Sequence, residues 1–311
     1  MSRIHEALKK AAQERNAQGA NISNAGPFDV SAEGLAGAVL ADDRPHPEGL
    51  AVAPAEDDGT FQRFKKFVKN CPHPAWKIRA EGSVFCSDSV FPFGAERFRT
   101  LRSRLYQISD TQPVRRLLVT SSVAAEGKTF IAANLGQSFV RQPNRSVLLI
   151  DADLRAPRLH LSFGAPVTPG LADYLKGQAD ESQIIQVGPE ENLCLIPAGS
   201  EVSNASELLH GERMKQFLDK MSRVFDWVIL DSPPVLAVHD ASILADMCDG
   251  VLFVVRAGAT DSAVAERAVA EFREKNLLGV VLNRVEKSDT YGGYYNYGYS
   301  ADKPRANATS S

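Results

Sequence analysis

The sequence predicts a doubly wound, mostly parallel α/β sheet with helices on both faces, and three observations carry that expectation. Short apolar runs at 115–121, 146–151, 192–196, 226–231, 250–256 and 278–282 alternate with helical patterns, notably 128–141, 205–224 and 260–275. Several runs are apolar on both faces, as strands covered by helices on each side must be. A strand–loop–helix stretch at 115–136, RRLLVTSSVAAEGKTFIAANLG, and acids closing two further runs mark the region of chemistry, because ligands of such sheets sit at the carboxyl ends of the strands.

Taken in order, residues 1–16 place Ile4, Ala7, Leu8 and Ala11 at helical spacing, with Arg3, Lys9, Lys10 and Arg15 largely elsewhere on the wheel. An amphipathic helix is expected there, either docked on its own domain or presented to a partner helix or membrane surface. Residues 17–59 are rich in Ala, Gly, Asp, Glu and Pro without a sustained period and read as a flexible linker with sparse structure. Residues 60–93 read as an ordered lead-in, with Phe61, Phe64, Phe67 and Val68 at helical spacing. The main domain spans 94–288 and a tail spans 289–311. At the start of that domain, Phe98, Leu101 and Leu105 form an apolar stripe, and Glu96, Arg99 and Arg102 recur every third residue beside it. Such a charged ridge is either a solvated face or a contact surface.

The chain has 311 residues and a formal net charge of −3, which argues against a nucleic-acid partner. Its longest apolar runs, such as 147–150 and 251–255, fall far short of the ~18 residues a membrane span needs. The N-terminus lacks the continuous apolar core of a signal peptide. Cys71, Cys86, Cys194 and Cys248 lack metal-type spacing and read as reduced thiols of a cytoplasmic protein.

Phosphate binding is expected at Ala125, Glu126, Gly127, Lys128, Thr129 and Phe130, where a loop feeds a helix N-terminus. Unpaired backbone N–H groups and the positive end of the helix dipole both suit phosphate oxygens there. Lys128 is placed to reach the β- and γ-phosphates and Thr129 to hold Mg²⁺. Ser122 stands where the pattern G-x-x-x-x-G-K-[ST] has its first glycine, and Ala124 and Ala125 follow. Because alanine has a cost at φ > 0 that glycine lacks, a tight cradle here must keep φ < 0 or carry strain. Further on, Asp151 and Asp153 follow one apolar run within SVLLIDADLRAPRLH, and Asp231 closes another in DWVILDSPPV. Residues two apart on an extended segment point the same way, so both acids of the first pair can face a metal-bound triphosphate. A lone acid closing an apolar strand is the usual Walker B arrangement for Mg²⁺.

VLLIDADLRAPRLH, VILDSPPV, DGVLFVVRAG at 249–258 and LGVVLNRV at 278–285 together resemble the bacterial tyrosine kinases (BY-kinases) of capsular and exopolysaccharide export systems, over about residues 94–300. A further likeness is the tail TYGGYYNYGYS, where Tyr291, Tyr294, Tyr295, Tyr297 and Tyr299 gather five of the chain's seven tyrosines. The resemblance implies a P-loop NTPase fold of the MinD/ParA type and an ATP- and Mg²⁺-dependent protein-tyrosine autokinase. It makes Lys128, Asp151, Asp153 and Asp231 catalytic, with Thr129, Asp153 and Asp231 at the metal and Asp151 accepting the tyrosine proton. It places Asn283 against the nucleotide base and makes the tail tyrosines phosphoacceptors. Glu96, Arg99 and Arg102 match a subunit-contact ridge, which implies a homo-oligomeric ring phosphorylating in trans.

The implied partner is a separate membrane polysaccharide co-polymerase whose cytosolic segment activates a cytoplasmic kinase recruited to the membrane's inner face. The phosphate loop departs from the family, which commonly has Pro-Gly where this chain has Ala124 and Ala125. Two other readings share the fold. One is a MinD/ParA-like ATPase switch, which carries a signature lysine where this chain has Val123 and lacks the tyrosine tail. The other is a non-catalytic nucleotide-binding scaffold for the membrane partner.

Overall fold

The computed structural model describes residues 39–40, 59–86 and 93–285. The N-terminal stretch 1–16 and the tyrosine tail at 289–311 lie outside the described residues. Eight strands form one sheet: β1 (Val39–Leu40), β2 (Arg116–Ser121), β3 (Val147–Asp151), β4 (Gln186–Val187), β5 (Leu193–Ile196), β6 (Trp227–Asp231), β7 (Gly250–Arg256) and β8 (Leu277–Asn283). Their order is β1-β8-β7-β2-β6-β3-β5-β4. The six inner strands are mutually parallel, and β1 and β4 close the two edges antiparallel. Each predicted strand is present to within a residue or so. Inside the expected linker, Val39–Leu40 pairs with Leu282 and Val281, because β8 would otherwise leave a row of backbone groups unpaired at the sheet edge.

Alternate strand residues serve opposite faces, as the pleat requires. Leu118, Leu148, Ile150, Val228 and Leu230 pack into one core, while Leu117, Val119, Val147, Leu149 and Ile229 pack into the other. The second core is covered by α2 (Gly94–Thr111), α3 (Lys128–Val140) and the short α4 (Leu159–Phe163). The predicted stripe of Phe98, Leu101 and Leu105 is the buried face of α2. From Ile131 to Val140, α3 is buried all round, the pattern of a helix enclosed on every side rather than one facing water.

The first core is covered by α1 (Thr60–Val68), α5 (Leu171–Leu175), α6 (Glu181–Ile184), α7 (Ala205–His210), α8 (Glu212–Met221), α9 (Asp240–Ala245) and α10 (Ser262–Ala270). Of the expected lead-in, residues 87–92 lie outside the described residues; in its described part Phe64 and Val68 of α1 are buried, and Phe64 meets Phe225 edge-on at 5.3 Å. Beyond α1 the chain crosses to the other face, where Asn134 of α3 accepts from Val84 N at 2.8 Å and donates to Gly82 O at 3.1 Å.

Two predicted helices are shorter or broken. The stretch 205–224 divides at Gly211, which takes an extended conformation (φ −63°, ψ 149°) between α7 and α8. Gly is the poorest helix former after Pro, so the chain turns there at little cost. The stretch 260–275 is helical only over Ser262–Ala270, starting where the Asp261 carboxylate accepts from Ala263 N at 3.0 Å and continuing past Ala270 as turns.

Candidate active site

Strand order assembles the site. β6 lies between β2 and β3, so the carboxyl ends of these three strands stand side by side, with Val119 beside Asp231 and Asp231 beside Asp151 in register. The phosphate loop leaves β2 and enters α3 at Lys128. Lys128 Nζ donates to Asp153 Oδ2 at 2.9 Å and to Asp231 Oδ1 at 3.5 Å, and Thr129 Oγ1 donates to Asp231 Oδ2 at 2.6 Å. Four of the predicted residues therefore form one cluster.

Asp151 lies beneath that cluster, fully buried. Its two oxygens accept from the backbone N–H groups of Asp153 at 3.3 Å and Leu159 at 2.9 Å. Asp153 Oδ1 accepts from Ala156 N at 3.0 Å, which leaves its other oxygen for Lys128. These bonds shape the segment after β3 so that Asp153 faces the phosphate loop.

The cluster crowds three carboxylates against one ammonium. Burial, and then the adjacent Asp231, push Asp151 well above the ordinary carboxylate range, against the hydrogen bond from Leu159. Burial raises Asp231 as well, with Lys128 and the Thr129 hydroxyl opposing. Burial alone would lower Lys128, but Asp231 and Asp153 outweigh it and hold the ammonium above its usual value. Lys128 is thus held protonated between Asp153 and Asp231, where positive charge is required.

The loop takes the strained alternative its sequence leaves open. Ala125 has φ 65° and Gly127 has φ 96°. A Cβ at Gly127 would stand 2.1 Å from Asn283 Nδ2, so only glycine fits there. Asn283 Nδ2 donates to Glu126 O at 2.8 Å, and its Oδ1 accepts from Arg284 N at 3.0 Å. Asn283 is therefore tied to the loop backbone. Phe130 packs edge-on against Phe98 of α2 at 6.1 Å.

Sequence reasoning missed two supports of this site. Arg155 Nε donates to the fully buried Asp240 at 2.8 Å, and its Nη2 donates to Ser206 Oγ at 2.8 Å, tying the segment after β3 to α7 and α9. The Glu126 carboxylate accepts from Arg256 N at the end of β7 and from the Thr260 hydroxyl in the turn beyond it. No short-range spacing links Arg155 to Asp240 or Glu126 to Thr260, so neither pairing was visible in the chain.

The donor set suits Mg²⁺. Thr129 Oγ1, Asp153 and Asp231 offer hard oxygens, and a cation, the ammonium of Lys128, already lies between the two acids. Among the described residues no group of three or more His, Cys, Asp or Glu could hold a metal ion by itself. In the same loop the buried Ser122 hydroxyl has no hydrogen-bond partner among the described residues, as expected of a cradle that receives polar atoms from a ligand.

Glu96, Arg99 and Arg102 lie on α2, outside the cluster. Arg99 Nη1 pairs with Glu96 at 2.8 Å on the exposed side, whereas Arg102 turns inward and donates to Ser138 O. The ridge is thus only partly presented to solvent. Among the described residues no helix is long and apolar enough to cross a membrane.

Residues 117–297 match the CobQ/CobB/MinD/ParA nucleotide-binding domain model. The chain is 34% identical over 221 residues to the tyrosine-protein kinase YwqD of Bacillus subtilis, covering 70% of this chain and 92% of that protein. To the tyrosine-protein kinase CpsD of Streptococcus agalactiae it is 34% identical over 207 residues, covering 65% and 89%. The kinase domain of the Escherichia coli tyrosine kinase ETK superposes with a TM-score of 0.62 at 30% identity, covering 73% of this chain and 87% of that one. A phosphate loop flanked by acidic strand ends, a matching nucleotide-binding domain and relatives aligned over nearly their whole length converge, and the chain belongs to the bacterial tyrosine-kinase group of the CobQ/CobB/MinD/ParA nucleotide-binding family.

Proposed function

We propose that this protein is an ATP-dependent protein-tyrosine autokinase that phosphorylates its own C-terminal tyrosines, Tyr291, Tyr294, Tyr295, Tyr297 and Tyr299, and through them regulates capsule or exopolysaccharide polymerisation and export. The observation that carries this reading is the pair Asp151 and Asp153 at the end of β3, with Asp153 bonded to the phosphate-loop lysine. A MinD/ParA-like switch would carry its signature lysine where this chain has Val123. The second acidic strand end adds a group able to take a proton.

In this mechanism Lys128 leaves its contacts with Asp153 and Asp231 to engage the β- and γ-phosphates, and the loop N–H groups of Ala125 to Phe130 orient them. Thr129, Asp153 and Asp231 would hold Mg²⁺, which would supply charge neutralisation on the phosphate oxygens. Burial and the adjacent Asp231 raise the proton affinity of Asp151, which in its ionised form accepts the tyrosine proton. Asn283 flanks the nucleotide base while keeping its hold on the loop. Tyrosine has an ordinary pKa of ~10, so a positioned base assists, although alignment and charge neutralisation dominate phosphoryl transfer.

Among the relatives, one is named for a cps region and one is named EpsB; the role proposed for this chain is beside a membrane polysaccharide co-polymerase at the inner face of the membrane. Glu96 and Arg99 offer an exposed charged contact for assembly into a homo-oligomeric ring. The reading is tested by detecting phosphotyrosine on purified protein incubated with ATP and Mg²⁺, with and without a membrane partner's cytosolic segment. Signal lost in Lys128→Met and in a chain ending at Ser288 establishes the autokinase. Bound nucleotide with no phosphotyrosine under any condition transfers the assignment to an ATPase switch or a scaffold.

A further inference from the structure

The phosphate loop contains a carboxylate, a group that phosphate repels. Glu126 lies between Ala125 and Gly127, is 1% exposed, and uses both oxygens within the protein. Oε2 accepts from Val123 N at 2.8 Å, closing the loop on itself. Oε1 accepts from Thr260 Oγ1 at 2.6 Å and from Arg256 N at 3.2 Å. Arg256 ends β7 and Thr260 lies in the turn before α10, so the carboxylate ties the loop to a segment 130 or more residues away. The main chain of the same residue is held from another side, where Glu126 O accepts from Asn283 at the end of β8.

This bracing coincides with the loop's irregularity. Ala125 has the left-handed φ of 65° that a glycine would adopt freely. A non-glycine residue persists there only where surrounding bonds over-determine it, and the bonds next to it in the chain are those of Glu126. We infer that Glu126 and Thr260 are a positioning pair for the phosphate-binding loop: the Thr260 hydroxyl holds the Glu126 carboxylate, and that carboxylate holds Ala125 and Gly127 in the conformation that turns the loop N–H groups toward phosphate. Thr260, remote in sequence and outside the loop, thereby controls phosphate affinity. This rests on the chain binding a nucleotide through its phosphates and is independent of tyrosine as the acceptor.

The test is Mg²⁺-dependent binding of ADP and of AMP to the full chain, measured by calorimetry. Thr260→Val removes the hydroxyl and weakens ADP about tenfold, the loss expected when a buried carboxylate forfeits one hydrogen bond. AMP, which lacks the β-phosphate seated in the loop, weakens about twofold or less, and Thr260→Ser restores the natural affinity. On a Glu126→Ala background Thr260→Val adds about twofold or less, because the two residues act through one bond. Should Glu126→Ala fail to fold, the contrast between Thr260→Val and Thr260→Ser decides alone. ADP affinity of Thr260→Val within about twofold of the natural chain, or equal losses for ADP and AMP, overturns the inference. Failure of the natural chain to bind ADP overturns the nucleotide reading and this inference with it. A chain that binds ADP but phosphorylates no tyrosine overturns only the proposed function.

Discussion

Strand β6 has an aspartate at each end, and the two stand in opposite relations to their surroundings. Asp226, just before the strand, accepts from Ser146 N and Ser146 Oγ, each at 2.8 Å, and pairs with Arg145 at 3.2 Å. Asp231, closing the strand, is fully buried beside Asp151 and raised by that burial. The same contrast holds across the sheet. At the amino end Asp249 accepts from Arg115 N at 2.9 Å and Arg116 N at 2.8 Å and pairs with the Arg116 guanidinium at 3.0 Å. The amino end matches each carboxylate with donors and stabilises the fold. The carboxyl end crowds carboxylates around one lysine, an arrangement that costs stability, as clusters at functional sites do.

The largest expected effect is at Lys128. Lys128→Met leaves Asp153 and Asp231 without their ammonium partner, and tyrosine phosphorylation falls at least about a hundred- to a thousandfold, as when a transition-state donor is lost. An assay retaining phosphorylation within about tenfold would break the division between the two ends.

Next, Asp226→Ala and Asp231→Asn separate the two ends of one strand. Asp226→Ala strands the Ser146 donors and lowers stability by about 2–3 kcal/mol in urea unfolding, with nucleotide affinity unchanged. Asp231→Asn removes a buried charge, leaves the urea midpoint of the nucleotide-free protein unchanged or raised, and abolishes phosphotyrosine formation. Equal destabilisation by both would show that the ends do not differ.

The pH dependence has a definite sign. Asp151 and Asp231 are raised above their unfolded value of ~3.9, so the folded protein binds their protons more tightly. Stability from these two groups therefore grows as pH falls through their folded values and is fully present below ~3.9. Asp173 has the opposite sign: burial raises it, but hydrogen bonds from Ser200 and Gly170 outweigh this and hold it low. Its stabilisation is present above ~3.9 and lost as pH falls below that. The urea midpoint of the nucleotide-free protein should rise on mild acidification before Asp173 protonates and reverses it. Saturating Mg²⁺ and ADP should flatten the rise.

The smallest effect belongs to Arg116. Its ion pairs with Asp249 and Asp219 are partly solvated, and Arg116→Met should cost about 1 kcal/mol. Asp249→Ala, which also strands two backbone N–H groups, should cost more, a ranking that thermal melts of the two variants can check.

Sequence by itself determined the parts whose signals are local. Apolar runs such as VLLI and WVIL announce buried strands, Gly127-Lys128-Thr129 announces a phosphate loop, and Asp151 and Asp231 declare themselves by closing strands, with Asp153 two residues beyond. Local pattern also overreached: helical periodicity continued through Gly211 and past Ala270, where an extended glycine and a series of turns end the helices. Only the tertiary structure decided which strand ends meet. The insertion of β6 between β2 and β3 put Asp231 between Lys128 and Asp151, and nothing in the period of β6 specifies its neighbours. The partners of Glu126 and Arg155 are likewise far along the chain, at Thr260 and Asp240. Side-chain periodicity is set within a few residues by backbone geometry, whereas strand adjacency and buried polar pairing are set by how whole layers pack, so the strands and the acids beside their ends were legible and the long-range partners that join them were not.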